Sequence, residues 1–184
     1  RTHEQFAVLY FDLNDFKEVN DQFGHATGDK LLVHVGQRLR DCARDIDLVS
    51  RLSGDEFAVI ATNTTTPNAA TALANRIIAS LDAPLIIDDI EICASGCIGI
   101  AFPPADGANP EALLKSADEA LYAAKHGIGG AIQIYNSEFK EQTRRRRNLE
   151  RDLRSPLPRD EFFLVFQPIL SLRHNRISGN EALL

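Results

Sequence analysis

The fold is decided by the stretch FAVLYFDLNDFKEVNDQFGHATGD, which spans residues 6–29. It opens with a continuous apolar run at residues 6–11, a pattern typical of a β-strand that is buried on both faces. Asp12 follows this run directly. From residue 14 to residue 23 the apolar side chains recur at helical spacing, and Gly24 ends the predicted helix. The stretch therefore predicts a buried strand that ends at a carboxylate and leads into a helix.

Helices and strands alternate along the rest of residues 1–137. Further helices are predicted at residues 27–43, 69–81 and 110–125, and further strands at 47–52, 56–60, 85–87, 90–93 and 131–135. Turn-forming residues at 53–55 and at 88–89 separate strands, so both places predict hairpins. The strand that begins at Ile90 is expected to continue through Ala101. This order predicts an α/β fold, an α+β sandwich in which helices flank a mixed sheet.

The composition is that of an ordinary globular protein. The chain has 184 residues, of which 44% are hydrophobic and 25% are charged. No apolar run approaches the roughly 18 to 20 residues that span a bilayer, so we expect a cytoplasmic piece that makes no membrane contact. The cysteines Cys42, Cys93 and Cys97 show no metal or redox spacing and are interpreted as reduced packing residues.

Charge is distributed unevenly along the chain. Residues 1–137 carry 10 basic and 19 acidic side chains, a net charge of −9. Such an acidic segment argues against a nucleic acid as the partner, because a phosphate backbone is bound through Lys and Arg. It still allows an anionic nucleotide, provided that a divalent cation lies between the carboxylates and the phosphates.

A first candidate site combines Asp12 with the predicted turn Gly54-Asp55-Glu56. If the hairpin lies beside the first strand in the same sheet, its carboxylates and Asp12 form an oxygen-rich site suited to Mg²⁺, which takes few protein ligands and keeps room for phosphates. The alternative is that Asp55 and Glu56 are ordinary turn residues and that Asp12 caps the helix that follows.

A second candidate site is the link between the first two helices, NDQFGHATGD at residues 20–29. Asn20 and Asp29 offer an amide and a carboxylate, and a carboxylate accepts well from the N–H donors on the edge of guanine. The alternative is helix capping, in which Gly24 closes one helix while Thr27 and Asp29 begin the next.

Together these motifs carry a family resemblance. Residues 11–29, followed at the matching distance by RLSGDEF at residues 51–57, resemble the GGDEF family of diguanylate cyclases over residues 6–136. Gln167-Pro168-Ile169 and Glu181-Ala182-Leu183 resemble the opening of an EAL phosphodiesterase domain. The resemblance implies a GGDEF domain at residues 1–137 and the truncated start of an EAL domain at 162–184, and the charged composition of residues 138–161 predicts a linker helix between them.

The resemblance also implies a fold and a reaction. The fold would be a palm-like sheet of the nucleotidyl-cyclase kind, and two facing domains would condense two GTP molecules into cyclic di-GMP. By motif position, Mg²⁺ or Mn²⁺ would be held by Asp12, the Leu13 carbonyl and Asp55. Glu56 would assist deprotonation or a second metal.

The same motif positions imply the contacts to GTP. Asn20 and Asp29 would bind guanine, the backbone N–H groups of Phe16 and Lys17 would bind phosphates, and Lys125 would contact the terminal phosphates. Phosphoryl transfer depends mainly on such positioning and on charge neutralisation.

An inhibitory product site is predicted at Arg44 and Asp47, which have the family's RxxD spacing just before the first hairpin. Arg44 is able to fork onto guanine or phosphate, and Asp47 to accept from guanine. The alternative is a surface ion pair where the strand begins.

Two departures from the family pattern bear on activity. Ser53 replaces the first glycine of the turn motif, where a Cβ is able to crowd the substrate, and Gly129 occupies the place of a phosphate-binding arginine. The sequence therefore leaves three functions open: an active cyclase, a GTP or cyclic di-GMP sensor that regulates an attached EAL domain, and a structural dimerisation module. The 23 residues with EAL character are too few to carry phosphodiesterase activity.

Overall fold

The computed structural model describes residues 5–127, 130–137, 148–149 and 163–183. The chain divides into two compact units, residues 1–143 and 144–184. The elements of the first unit are β1 (Phe6–Leu13), α1 (Phe16–Phe23), α2 (His25–Cys42), β2 (Leu48–Ser53), β3 (Glu56–Thr62), α3 (Pro67–Leu81), β4 (Leu85–Ile87), β5 (Ile90–Ile92), β6 (Gly96–Ala101), α4 (Pro110–Lys125) and β7 (Ile132–Ile134). The second unit contains β8 (Val165–Ser171) and β9 (Arg176–Leu183).

A mixed five-stranded sheet forms the centre of the first unit, in the order β2-β3-β1-β6-β7. β1 pairs antiparallel with both β3 and β6, whereas β6 and β7 run parallel. The predicted mixed sheet is thus confirmed, and so is the buried character of the first strand, in which Ala7, Leu9 and Phe11 are fully buried.

Alternation along β1 distributes its side chains between the two layers of helices. Leu9 and Phe11 belong to the larger core cluster, which includes buried residues of α2 and α3. Val8 and Tyr10 pack instead with residues of α4. Asp12 has the same parity as Val8 and Tyr10, so the fold directs its carboxylate to the face that α4 covers.

Gly99 allows α4 to lie against the sheet. A Cβ at this position would overlap the Ala117 carbonyl oxygen and the backbone of Leu121, and both belong to α4. Because backbone atoms cannot move out of the way as a flexible side chain can, this close approach requires glycine.

Two arginines connect the ends of α2 and α3. Arg38 of α2 donates to the carbonyl oxygens of Ser80 and Ala83 at 2.7 and 2.6 Å, near the end of α3. Arg76 of α3 donates in turn to the Cys42 carbonyl, at the end of α2. Each arginine thus satisfies carbonyl groups that a helix end leaves without a partner.

Arg38→Ala is expected to lower the free energy of unfolding by about 1–3 kcal/mol, because it leaves these carbonyls without their charged donor. Urea unfolding followed by circular dichroism measures the change. Lys30→Ala is the control, because the ion pair that Lys30 makes with Asp88 is exposed and exposed pairs contribute about 0–1 kcal/mol. Equal losses in the two variants would contradict the capping role of Arg38.

The prediction of one long strand from Ile90 to Ala101 is wrong. β5 ends at Ile92 and forms a separate two-stranded sheet with β4, whereas β6 enters the central sheet between β1 and β7. The break coincides with a long-range contact of Ser95, because the Asn14 N–H donates to the Ser95 carbonyl at 2.9 Å and the Asn14 side chain to the Ser95 hydroxyl at 3.0 Å.

Smaller corrections concern helix starts and one cysteine. The first helix begins at Phe16 rather than residue 14, and α2 and α3 begin two residues earlier than predicted, at His25 and Pro67. Thr66 caps α3, its hydroxyl accepting from the Ala69 N–H at 3.3 Å. All three cysteines are free thiols, but Cys93 is exposed, so its predicted packing role is wrong.

The second unit is an antiparallel hairpin with an apolar surface. None of its described residues between 163 and 183 is buried, and Phe166, Leu172 and Ile177 are 66%, 90% and 62% exposed. The predicted linker helix at 138–161 lies outside the described residues, apart from 148–149. No helix in the described ranges combines the length and apolar character that a bilayer span requires.

Candidate functional site

The β1–β3 pairing brings the carboxylates of the first candidate site to one end of the sheet. Asp12 lies opposite Glu56 in the antiparallel register, so their side chains share a face. The Leu13 N–H donates to the Asp55 carbonyl oxygen at 3.4 Å, which holds the turn between β2 and β3 against the end of β1. The hairpin therefore lies beside Asp12, as the sequence predicts.

Asp12 is a buried carboxylate that faces a cation. The Lys125 ammonium, at the end of α4, lies 2.5 Å from Asp12 Oδ1, and the Asp12 side chain is only 10% exposed. This oxygen receives no hydrogen bond of normal geometry within the described part of the chain. Burial raises the pKa of Asp12, and Asp55 and Glu56 raise it further, whereas Lys125 lowers it. The site thus gathers the carboxylates of Asp12, Asp55 and Glu56 around a single ammonium group, that of Lys125.

Glu56 is held by two hydroxyl groups. Ser53 Oγ donates to Glu56 Oε2 at 2.6 Å, and the Tyr10 hydroxyl donates to the same oxygen at 3.3 Å. Burial, together with the charge of Glu56, raises the pKa of Tyr10 to about 12. The Tyr10 phenol is therefore protonated at neutral pH and available as a donor.

One alternative from the sequence fails at this site. Asp12 does not cap α1, because the residue at the N-terminal cap is Asp15, in the left-handed region with φ 54°, and no side chain caps that helix end. Glu56 is more than a turn residue, because it is half-buried and accepts two hydrogen bonds, whereas Asp55 lies in the turn and is half-buried.

A divalent cation fits this set of groups. Within the described ranges, no three Asp, Glu, His or Cys side chains come together as a preformed metal cage. Mg²⁺ does not require one, because it usually takes one or two carboxylates and completes its shell with water and phosphate oxygens. Asp12, Asp55 and the Leu13 carbonyl lie at one strand end, and the buried Asp12 oxygen that already faces the Lys125 ammonium is suited by charge to a cation.

The second candidate site lies where α1 meets α2. Asn20 of α1 packs so closely on Gly28 that a Cβ there would overlap its amide oxygen, and Asp29 follows on the exposed surface of α2. Capping accounts for Gly24, whose N–H donates to the Asn20 carbonyl at 2.9 Å, but not for the side chains of Asn20 and Asp29. Thr27 donates to the Phe23 carbonyl and caps no N–H group.

Phe16 and Lys17 are the first two residues of α1. The first N–H groups of a helix have no partner within the helix, and the helix dipole favours anions there. Their position therefore suits the phosphate contacts that the sequence predicts for them.

The predicted product site lies in a groove of about 330 Å³ lined by Arg44 and Asp47. No ion pair joins these two side chains in the described residues, so the alternative of a surface ion pair is wrong. Asp47 instead stabilises the chain, because its carboxylate accepts from the backbone N–H groups of Arg44 at 2.8 Å and Thr62 at 2.9 Å. Arg44 is exposed.

Sequence reasoning missed the hydroxyl groups that hold Glu56. Ser53 was noted only as a replacement for glycine, and Tyr10 only as part of an apolar run. Two features of the sequence could have indicated these contacts. Ser53 and Glu56 lie three residues apart across a hairpin turn, and Tyr10 and Asp12 alternate onto the same face of the first strand. Gly129, the other departure, lies outside the described residues.

Comparison with known proteins agrees with this geometry. The sequence profile described as "Diguanylate cyclase, GGDEF domain" matches residues 1–129. The crystal structure of the GGDEF domain of TpbB from Pseudomonas aeruginosa superposes with a TM-score of 0.70 at 43% identity, covering 73% of this chain and 84% of that one. The fold is thus the mixed, nucleotidyl-cyclase-like sheet of GGDEF structures. The chain belongs to the GGDEF family of cyclic di-GMP signalling proteins.

The names of curated relatives refer both to synthesis and to degradation of cyclic di-GMP. The chain is 36% identical over 184 residues to the bifunctional diguanylate cyclase/cyclic di-GMP phosphodiesterase MucR of Pseudomonas aeruginosa, covering 100% of this chain and 27% of MucR. It is 35% identical over 171 residues to the cyclic di-GMP phosphodiesterase PdeR of Escherichia coli, covering 93% of this chain and 26% of PdeR. The chain thus spans about a quarter of the length of these relatives.

Proposed function

We propose that the first unit binds GTP with a divalent cation and, as a dimer, condenses two GTP molecules into cyclic di-GMP. The observation that carries this proposal is the pairing of Asp12 with Glu56 at the strand end where the Asp55 turn and Lys125 also meet. Four charged groups with opposed signs at one end of a buried strand suit a metal–nucleotide complex better than a stabilising role.

Each group has a task in this reaction. Asp12, the Leu13 carbonyl and Asp55 would hold Mg²⁺ or Mn²⁺, and the cation would neutralise phosphate charge and orient the triphosphate. Glu56, beside them, would help to take the proton of the attacking 3′-hydroxyl or would assist a second cation. Lys125 would exchange part of its contact with Asp12 for the terminal phosphates.

The remaining contacts fix the nucleotide. Asn20 and Asp29 would bind the edge of guanine, because an amide and a carboxylate together match its acceptor and N–H donors. The N–H groups of Phe16 and Lys17 would bind the phosphates at the start of α1. Since one domain presents one GTP, the attacking hydroxyl has to come from a GTP held by a second GGDEF domain, and a homodimer is proposed for that reason.

A second role is proposed for the groove at Arg44 and Asp47, namely binding of the product cyclic di-GMP. Asp47 also accepts from the Thr62 hydroxyl at 3.2 Å, and its three structural hydrogen bonds leave about one of the roughly four acceptor sites of a carboxylate for a ligand. Arg44 is exposed and its guanidinium makes no ion pair in the described residues, so it is available to a guanine or a phosphate.

Arg44→Ala is expected to weaken cyclic di-GMP binding at least tenfold and to leave binding of a GTP analogue unchanged, because the two sites involve different residues. Parallel calorimetric titrations with the two nucleotides measure both affinities. Arg173→Ala, which removes an exposed arginine of the second unit, controls for loss of net charge. Loss of both affinities together in Arg44→Ala would instead indicate a structural role for Arg44.

A catalytically weak sensor is the second candidate function. Ser53 in the turn motif favours it, and so does similarity to PdeR, whose name records only phosphodiesterase activity. In this case the unit would bind GTP or cyclic di-GMP and regulate an attached EAL domain. A purely structural dimerisation module is disfavoured, because it requires no buried carboxylate facing a lysine.

The domain boundaries are proposed from the same comparison. We place the GGDEF domain at residues 1–137, a linker helix at 138–161 and the start of an EAL domain at 162–184. Similarity to MucR over 184 residues supports the same order of segments along the two chains. The exposed apolar side chains of the β8–β9 hairpin suit a segment that packs into a larger domain. A cytoplasmic location, with no nucleic acid partner, is part of the same proposal.

Incubation of the 184-residue chain with GTP and Mg²⁺, followed by chromatography of the nucleotides, separates the two functions. A cyclase converts GTP to cyclic di-GMP, and the conversion rises more than linearly with protein concentration if a dimer is required. A sensor leaves GTP intact but binds one of the two nucleotides in calorimetry. Neither conversion nor binding would contradict both functions.

A further inference from the structure

The replacement of glycine by Ser53 in the turn motif carries a further inference, which rests on the proposed function. We propose that the hydroxyl groups of Ser53 and Tyr10 position the Glu56 carboxylate beside the metal site. In this role Ser53 is a positioning residue that acts through Glu56.

Both hydroxyl groups bind the same oxygen of Glu56. Ser53 Oγ lies 2.6 Å from Oε2, and the Tyr10 hydroxyl lies 3.3 Å from it. The three residues come from three adjacent strands, β2, β1 and β3, so the bonds cross the sheet at its functional end. No described residue makes a hydrogen bond to Oε1, which leaves that oxygen for a cation or a proton.

The geometry of the turn makes serine suitable for this task. Gly54 takes the left-handed conformation that the turn requires, at φ +45°, whereas Ser53 has no positive φ. A Cβ at residue 53 therefore introduces no backbone strain. The added hydroxyl supplies a charge-assisted hydrogen bond that glycine cannot make.

A Glu56 side chain that is already fixed in the free protein favours binding of a cation. A free glutamate side chain loses rotamer freedom when it orients toward a bound cation, and this loss weakens binding by about 2- to 12-fold for one side chain. Tyr10 contributes a second hydrogen bond to the same oxygen of Glu56, and because this bond is longer, its effect is expected to be smaller than that of Ser53.

Unfolding measurements test the hydrogen bond in the free protein. Ser53→Ala is expected to lower the folding equilibrium constant of the full chain by about 2- to 10-fold. The same substitution in a Glu56→Ala background is expected to change it less than twofold, because the partner is absent. Equal losses in the two backgrounds would show that Ser53 acts elsewhere and would overturn the inference.

Titration with Mn²⁺ in the presence of a non-hydrolysable GTP analogue tests the positioning role. Ser53→Ala is expected to weaken Mn²⁺ binding by about 2- to 12-fold, Tyr10→Phe to weaken it less, and Ser53→Thr, which keeps the hydroxyl, to change it less than twofold. In the Glu56→Ala background, Ser53→Ala is expected to have no further effect.

Ser53→Gly gives the sharpest contrast. This substitution restores the glycine usual in the motif, and the inference requires it to weaken Mn²⁺ binding as Ser53→Ala does. Tighter binding in Ser53→Gly, or unchanged binding in Ser53→Ala, would overturn the inference. Absence of Mn²⁺–nucleotide binding in the wild-type chain would overturn the proposed function and the positioning role together, whereas the unfolding cycle would still report the hydrogen bond by itself.

Discussion

Asp55→Asn is expected to reduce the affinity for the metal–GTP complex, or its turnover, at least about 100-fold, because it removes a charged ligand from a cation that contributes several kcal/mol of charge stabilisation. The fold is expected to stay intact. Asp55 is half-buried in a turn, and asparagine has nearly the same volume. Calorimetric titration with a GTP analogue and Mg²⁺ measures the affinity.

A matched control for this prediction is Asp89→Asn. Asp89 lies in the turn of the other hairpin, between β4 and β5, and is exposed. Its substitution removes the same charge from the same kind of turn without touching the candidate site, so we expect an unchanged affinity. A similar loss in both variants would show that net charge, rather than metal coordination by Asp55, determines binding.

Gly99→Ala has the largest effect expected on stability. The new Cβ would overlap the backbone of α4 at Ala117 and Leu121, and overpacking against atoms that cannot move costs about 3 kcal/mol or more. The helix that carries Lys125 would also shift from the sheet, so metal–nucleotide binding is expected to weaken together with stability. Urea unfolding and the GTP-analogue titration measure the two effects.

Gly36→Ala is the control for Gly99→Ala. Gly36 lies within α2, and a Cβ there meets only Phe57, at an ordinary distance of 3.5 Å. Alanine favours helix over glycine by about 0.5–1 kcal/mol, so this variant is expected to be neutral or more stable. If Gly99→Ala were as stable as Gly36→Ala, α4 would not pack on β6 as closely as described.

The central strand and the first hairpin could be predicted from the sequence because their signals are local. A continuous apolar run specifies a buried strand, and the turn at 53–55 specifies the antiparallel pairing of β2 with β3. The pairing of β1 with β3, which sets Asp12 opposite Glu56, is a long-range contact, so the sequence offered it only as a condition of the metal site. The family resemblance added Leu13 to this group, and the roles of all four residues are proposals.

Long-range contacts explain what the sequence could not show. The break before β6 depends on hydrogen bonds between Asn14 and Ser95, which are 81 residues apart. The structural role of Asp47, whose carboxylate accepts a hydrogen bond from the Thr62 N–H, depends on a residue 15 positions away. Periodicity describes neighbours along the chain, so it contains no information on such partners.

The most direct test of the account is a crystal structure of the chain with a GTP analogue and Mn²⁺, in which anomalous scattering locates the metal. We predict a metal peak within about 2–2.6 Å of oxygen atoms of Asp12, Leu13 and Asp55, with the nucleotide phosphates at the start of α1 and guanine between Asn20 and Asp29. A nucleotide bound only in the groove at Arg44 and Asp47, with no metal at Asp12, would contradict it.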